Sequence, residues 1–277
     1  MSTLYKNQRG FTLVEMIIVM VITGIIGAMV AVFIKAPVQG YVDSARRAEL
    51  TDIADTALRR ISRDVRGAVP NSVQATSSQV EFLPTKDGGR YRADSGGTNN
   101  VLTFGVADGS FEIVGSAINF ADGAGASPDY IVVGSTQSDA VPAYDTSSAG
   151  VLRQYTGAAG PQTIVNFTNT ALPTWAELPS QRFDVVDGAQ RAVFYKCETL
   201  GTDSSGNGTG KLMRYWNYGF THTTGATSAI LADKVSACTI DYGVVNQRYS
   251  LLTIKLTITS SNESVTLYNE IHVNNSP

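Results

Sequence analysis

Histidine is nearly absent from this 277-residue chain: His222 and His272 are its only two, far apart in sequence. With so few imidazoles, a histidine-based catalytic centre or metal site has little to be built from. Cysteine is as scarce, at Cys197 and Cys238, and neither histidine stands at a ligand-type spacing from either one. Charged residues make up only 16% of the chain, and its 21 basic residues are outnumbered by 24 acidic ones, so the basic surplus typical of a nucleic-acid-binding surface is missing. No Gly-x-Ser-x-Gly nucleophile elbow occurs. The Gly210-Lys211 pair fails as a phosphate loop, because Ser205 occupies the first glycine position and Leu212 follows the lysine. The expectation is a non-enzymatic protein with no resident cofactor and no nucleic-acid partner.

What the chain does have is one long apolar run near its N-terminus. From Phe11 to Ile34 the only charged residue is Glu15, and the next charge is Lys35. As a helix these 24 positions would extend roughly 36 Å, enough to cross a hydrocarbon layer of about 30 Å. A carboxylate inside such a segment is costly unless a partner neutralises it, which makes Glu15 a candidate functional residue. Met1–Gly10 carries Lys6 and Arg9 and no acid, so the positive-inside rule holds it in the cytoplasm. An ordinary secretory signal is cleaved after its apolar stretch. Here the small residue, Gly10, precedes the stretch.

The segment Arg9-Gly10-Phe11-Thr12-Leu13-Val14-Glu15 resembles the class III signal of type IV prepilins and type II secretion pseudopilins. The resemblance implies that a prepilin peptidase cleaves between Gly10 and Phe11 and methylates the new Phe11 amine. It also implies that Glu15 pairs with the N-terminal amine of a neighbouring subunit during assembly, since two opposite charges are tolerated together where each alone is not. The wider arrangement is similar to the J-type minor pseudopilins, and more closely to the O-type minor prepilins of mannose-sensitive haemagglutinin (MSHA) pilus biogenesis. That closer likeness rests on Arg46–Arg60, on Asp64-Val65-Arg66 running to Val69-Pro70-Asn71-Ser72, on Val193–Cys197, on Arg214-Tyr215 and Tyr218-Gly219-Phe220, and on Ile271-His272-Val273. Tip-capping K-type subunits usually lack the acid, so a chain that keeps Glu15 is expected beneath another subunit. The implied partners are the prepilin peptidase, other minor pilins, the major pilin and the inner membrane. The implied location is a single pass with a periplasmic C-terminal domain, exposed on the pilus after assembly.

Beyond the apolar run, Pro37 and Gly40 interrupt the helix, and a stripe of Leu50, Ile53, Ala54, Ala57, Leu58, Ile61 and Val65 then recurs at three- and four-residue steps. The stripe suits packing on a sheet, or a short coiled coil. Gly67 and Pro70 end it. From there the period becomes two. Strand-like runs cover Val80–Leu83, Val101–Val106, Phe111–Val114, Tyr130–Val133, Val151–Tyr155, Thr163–Phe167, Arg191–Cys197, Lys211–Trp216 and Lys234–Tyr242. Glycine-rich turns such as Asp87-Gly88-Gly89 and Ser95-Gly96-Gly97 separate them. Tyr249–Ile258 and Ser264–Val273 alternate cleanly about a polar turn and read as a terminal hairpin. The expected fold is α+β: a long N-terminal helix, its first half transmembrane, on antiparallel sheets as in type IV pilins. The expected divisions are a leader at 1–10, a membrane half at 11–36, an amphipathic half at 37–69 and a β-rich domain at 70–277.

An even pair of cysteines in an exported domain is consistent with one Cys197–Cys238 bridge, two buried thiols being the alternative. Asp203, Ser205 and Asn207 place oxygen donors on alternate residues, as a calcium loop begins, and some pseudopilins bind calcium. The closing bidentate acid is missing, however, since Arg214 stands at the twelfth position. A solvated glycine-rich hairpin loop is the favoured reading.

Overall fold

The structure, a computed structural model, describes residues 10–94, 100–136, 141–220, 226–243 and 250–275. The leader with Lys6 and Arg9, the Ser95-Gly96-Gly97 turn, His222 and Tyr249 lie outside the described residues. The chain divides into two units, Met1–Glu49 and Leu50–Pro277, and the division falls inside a single helix, α1 (Leu13–Arg66).

α1 is continuous where the sequence pattern places an interruption: Pro37 sits inside it, and Gly40 is helical too. A proline costs a helix one donor, here the one that the Phe33 carbonyl would accept from four residues on, and its ring crowds that carbonyl. Helices with good formers on both sides absorb such a defect, above all in apolar surroundings. In the second unit the stripe behaves as an amphipathic face. Leu50, Ala54, Ala57, Leu58, Ile61 and Val65 are all buried, in one cluster with Val80, Phe82, Tyr195, Leu256 and Ile258 of a sheet. The helix end is satisfied by the Gly67 N–H to the Arg63 carbonyl and the Ala68 N–H to the Val65 carbonyl.

Fifteen strands follow among the described residues. The first are β1 (Gln74–Thr76), β2 (Gln79–Phe82), β3 (Thr85–Tyr91), β4 (Ser110–Val114), β5 (Ile118–Phe120) and β6 (Tyr130–Val133). A four-residue helix α2 (Val141–Tyr144) precedes β7 (Leu152–Gln154), β8 (Gly160–Gln162), β9 (Ile164–Asn166) and β10 (Arg182–Val186). The last five, β11 (Val193–Glu198), β12 (Gly210–Trp216), β13 (Thr227–Asp241), β14 (Leu251–Ser260) and β15 (Glu263–His272), are the longest group. They form a seven-stranded sheet ordered β1-β2-β11-β12-β13-β14-β15, a six-stranded sheet ordered β7-β6-β10-β3-β4-β9, and a β5-β8 pair. Among the described residues all strand pairings are antiparallel, and α1 packs on the seven-stranded sheet, so the fold is α+β as expected. The six-stranded sheet has its own aromatic core, in which Phe111 stands edge-on to Phe183 with ring centres 4.9 Å apart.

Two expectations fail in the middle of the chain. Asp87-Gly88-Gly89 is not a turn but the centre of β3, paired to Asp184 and Phe183 of β10. The glycines are needed for closeness: a Cβ on Gly88 would stand 3.0 Å from the Phe183 carbonyl, and one on Gly89 would stand 3.1 Å from the Phe183 ring. Val101–Val106 is not a strand. The Asp108 carboxylate accepts the Thr103 N–H at 2.8 Å and the Thr103 hydroxyl at 2.7 Å, and Gly105 takes a φ of 77°, so the segment folds back on itself.

Candidate functional site

The N-terminal segment begins with an exposed Gly10 and an exposed Phe11, 81% accessible. Thr12 caps the helix. Its hydroxyl accepts the Glu15 N–H at 3.3 Å, and its carbonyl accepts the Met16 N–H at 3.2 Å. Thr12-Leu13-Val14-Glu15 therefore has the spacing of a capping box, a helix-start signal that overlaps the motif around it. The cap fixes where the helix starts. It also holds the Glu15 carboxylate in the first turn, where the positive end of the helix dipole favours an anion.

Around this carboxylate the helix is apolar and uncovered within its unit. Leu13, Met16, Ile17, Ile18, Val19 and Met20 are each more than half exposed, and the pattern persists to Val42. The one other polar side chain of its opening turns, Thr23, donates its hydroxyl to the Val19 carbonyl at 2.6 Å and so presents no unpaired donor. Among the described residues, α1 is the one helix long and apolar enough to cross a membrane. A surface this apolar is stable only against lipid tails or other apolar helices. In either setting Glu15, which has no cationic partner among the described residues, is a carboxylate that such a partner would stabilise strongly.

In the second unit the structure joins Cys197 of β11 to Cys238 of β13 by a disulfide. The two strands are next-nearest neighbours in the sheet, with β12 between them, and both cysteines belong to the core under α1. The motifs distant in sequence meet at Asp64. Its carboxylate accepts the Tyr195 hydroxyl at 2.5 Å and lies 3.5 Å from the Arg214 guanidinium. Arg214 in turn donates to Gln190 at 2.8 Å and stacks over Trp216. Burial and the adjacent Asp64 carboxylate both push the Tyr195 phenol far above its ordinary pKa, so it remains a donor.

The Asp203–Asn207 loop is closed upon itself. One Asp203 oxygen accepts the N–H groups of Ser205 at 2.9 Å and Asn207 at 2.8 Å, which holds this carboxyl below the usual range. The Asn207 side-chain oxygen accepts the Ser261 N–H at 2.9 Å, tying the loop to the β14–β15 turn. Asp203 and Asn207 thus shape a turn with the oxygens that a cation would need. Among the described residues no group of three or more histidine, cysteine or acidic side chains is placed to hold a metal. His272 is exposed on β15.

Residues 5–31 match the prokaryotic N-terminal methylation motif. No curated protein and no solved structure gives a significant match to the chain. The matched segment contains Gly10, Phe11, Thr12 and Glu15 and reaches well into the apolar helix. It supports a subunit of type IV pilin or pseudopilin kind, anchored through that helix.

Proposed function

We propose that this chain is a non-enzymatic minor subunit of a type IV pilus. In this reading prepilin peptidase cleaves it between Gly10 and Phe11, the Phe11 amine is methylated, and the subunit joins other minor pilins to start or top the filament. The observation that carries it is the union of three features in one stretch: the methylation motif, an uncovered membrane-length helix, and a lone carboxylate fixed in its first turn by the Thr12 cap. Within that class the reading favours an MSHA-type pilus. Three of the residues behind that choice, Asp64, Tyr195 and Arg214, meet in one polar cluster on the sheet. A minor pseudopilin at the tip of a type II secretion system is the second reading, supported by the same N-terminal segment.

Glu15 gives the test. Glu15→Ala removes one carboxylate from the first turn of α1 and leaves the Leu50–Pro277 unit unaltered in sequence, so membrane insertion and cleavage should be unchanged while incorporation into filaments falls. Immunoblotting of sheared filaments against whole membranes reads both. Normal incorporation of the Glu15→Ala chain contradicts the proposal.

A further inference from the structure

A groove of about 640 Å³ runs along one side of the second unit, between the last turns of α1 and strand β15. On the helix side it is lined by Asp55, Leu58, Arg59, Ser62, Arg63 and Arg66, a single stripe at three- and four-residue steps. On the sheet side it is lined by Leu267, Tyr268 and Asn269. Consecutive strand residues point to opposite faces, so a cavity that touches three in a row is touching the edge of the strand.

That edge is open. β15 is the last strand of the seven-stranded sheet, paired to β14 through ten residues in unbroken register from Leu251↔His272 to Ser260↔Glu263. Every second backbone N–H and C=O of such a strand faces away from its partner. Few of the devices that usually protect an edge are present: β15 holds no proline, no lysine and no bulge, and its only charges are Glu263 and Glu270 near its two ends. The opposite edge of the same sheet is protected by brevity, β1 being three residues long.

The charge above the edge is basic. Arg59 is engaged by Asp55 at 2.6 Å, but Arg63 and Arg66 are exposed and make no ion pair or side-chain hydrogen bond with any described residue. Three guanidinium groups against one carboxylate favour an anionic occupant. The stripe from Asp55 to Arg66 extends about 16 Å along the helix, the length of about five residues of extended chain.

We infer that this groove is a docking site for an extended acidic segment of another protein, which adds to the sheet as an eighth strand beside β15 and places its carboxylates against Arg63 and Arg66. Main-chain hydrogen bonds to β15 supply the geometry, and the arginines select an acidic sequence. The inference rests on the Leu50–Pro277 unit alone and holds whichever filament the chain joins.

The test uses the purified full-length chain in detergent and a fluorescent eight-residue peptide of alternating valine and glutamate. Saturable binding is expected at low salt. It should weaken about tenfold in an Arg63→Glu/Arg66→Glu chain, the loss of two exposed pairs, and should weaken in the same direction in the Arg63→Gln/Arg66→Gln chain. Methylating alternate backbone nitrogens of the peptide should abolish binding. Absence of saturable binding, binding by both arginine variants as tight as that of the unaltered chain, or equal binding of the methylated peptide each overturns the inference.

Discussion

The Asp64 carboxylate on the helix accepts the Tyr195 hydroxyl of β11 at 2.5 Å, and this bond ties the amphipathic turns of α1 to the middle of the seven-stranded sheet. Arg214 of β12 completes the junction with an ion pair to the same carboxylate. A half-buried acid accepts from the phenol and neutralises the guanidinium here, and removing the acid would leave both without it.

Removing one member should therefore cost more than the bond it makes. Tyr195→Phe should lower stability by about 1 kcal/mol, while Asp64→Ala, which strands Arg214 and the phenol together, should lower it by about 3 kcal/mol. Thermal unfolding of the full chain in detergent measures both. Equal losses would mean that the three groups do not act as a unit.

Asp184 carries the pH dependence. Burial beside Gly88 of β3 pushes its carboxyl up to about 6, partly opposed by Arg182. Its native pKa exceeds its unfolded value near 3.8, so its contribution to stability is full below about pH 4 and is lost as pH rises through about 6. Asp184→Asn should remove this slope. The variant should match the parent near pH 4 and exceed it by up to about 3 kcal/mol at pH 7, read by denaturant titration at the two pH values.

The disulfide gives a redox prediction. Joining Cys197 to Cys238 closes a loop with a sequence separation of 41, and the chain-entropy relation assigns about 4 kcal/mol to that constraint. The Cys197→Ser/Cys238→Ser chain should unfold at lower denaturant than the oxidised parent and be insensitive to reductant. Melting that is unchanged by reductant in the parent would contradict it.

The elements with unbroken periodicity were legible in the sequence. Leu50 through Val65 repeats with the helix period and is buried as one face, and Leu252 to Ile258 alternates as β14 does. What escaped was set by tertiary contact or by a single side chain. β3 hides behind Gly88-Gly89, whose turn-like composition answers to the closeness of Phe183, and Val101–Val106 is held out of any sheet by Asp108. β10 is five residues long and buried on both faces, by Phe183 and Val185 on one and Val186 on the other, so it shows no clean alternation to stand out. At the candidate site Gly10, Phe11 and Glu15 stood out through charge and motif spacing. The Thr12 cap was also present in the sequence, as a Thr-x-x-Glu spacing masked by the stronger motif around it. The basic groove beside β15 was illegible, because it exists only where the helix stripe and a strand some two hundred residues later come together.

The central claim is that the chain is a processed pilin-type subunit, and its N-terminus tests that most directly. Intact-mass and N-terminal sequencing of the membrane-extracted protein, from cells with and without prepilin peptidase, should show a peptidase-dependent start at methylated Phe11. An unprocessed leader in both strains would contradict the account and leave a signal-anchored β-rich domain.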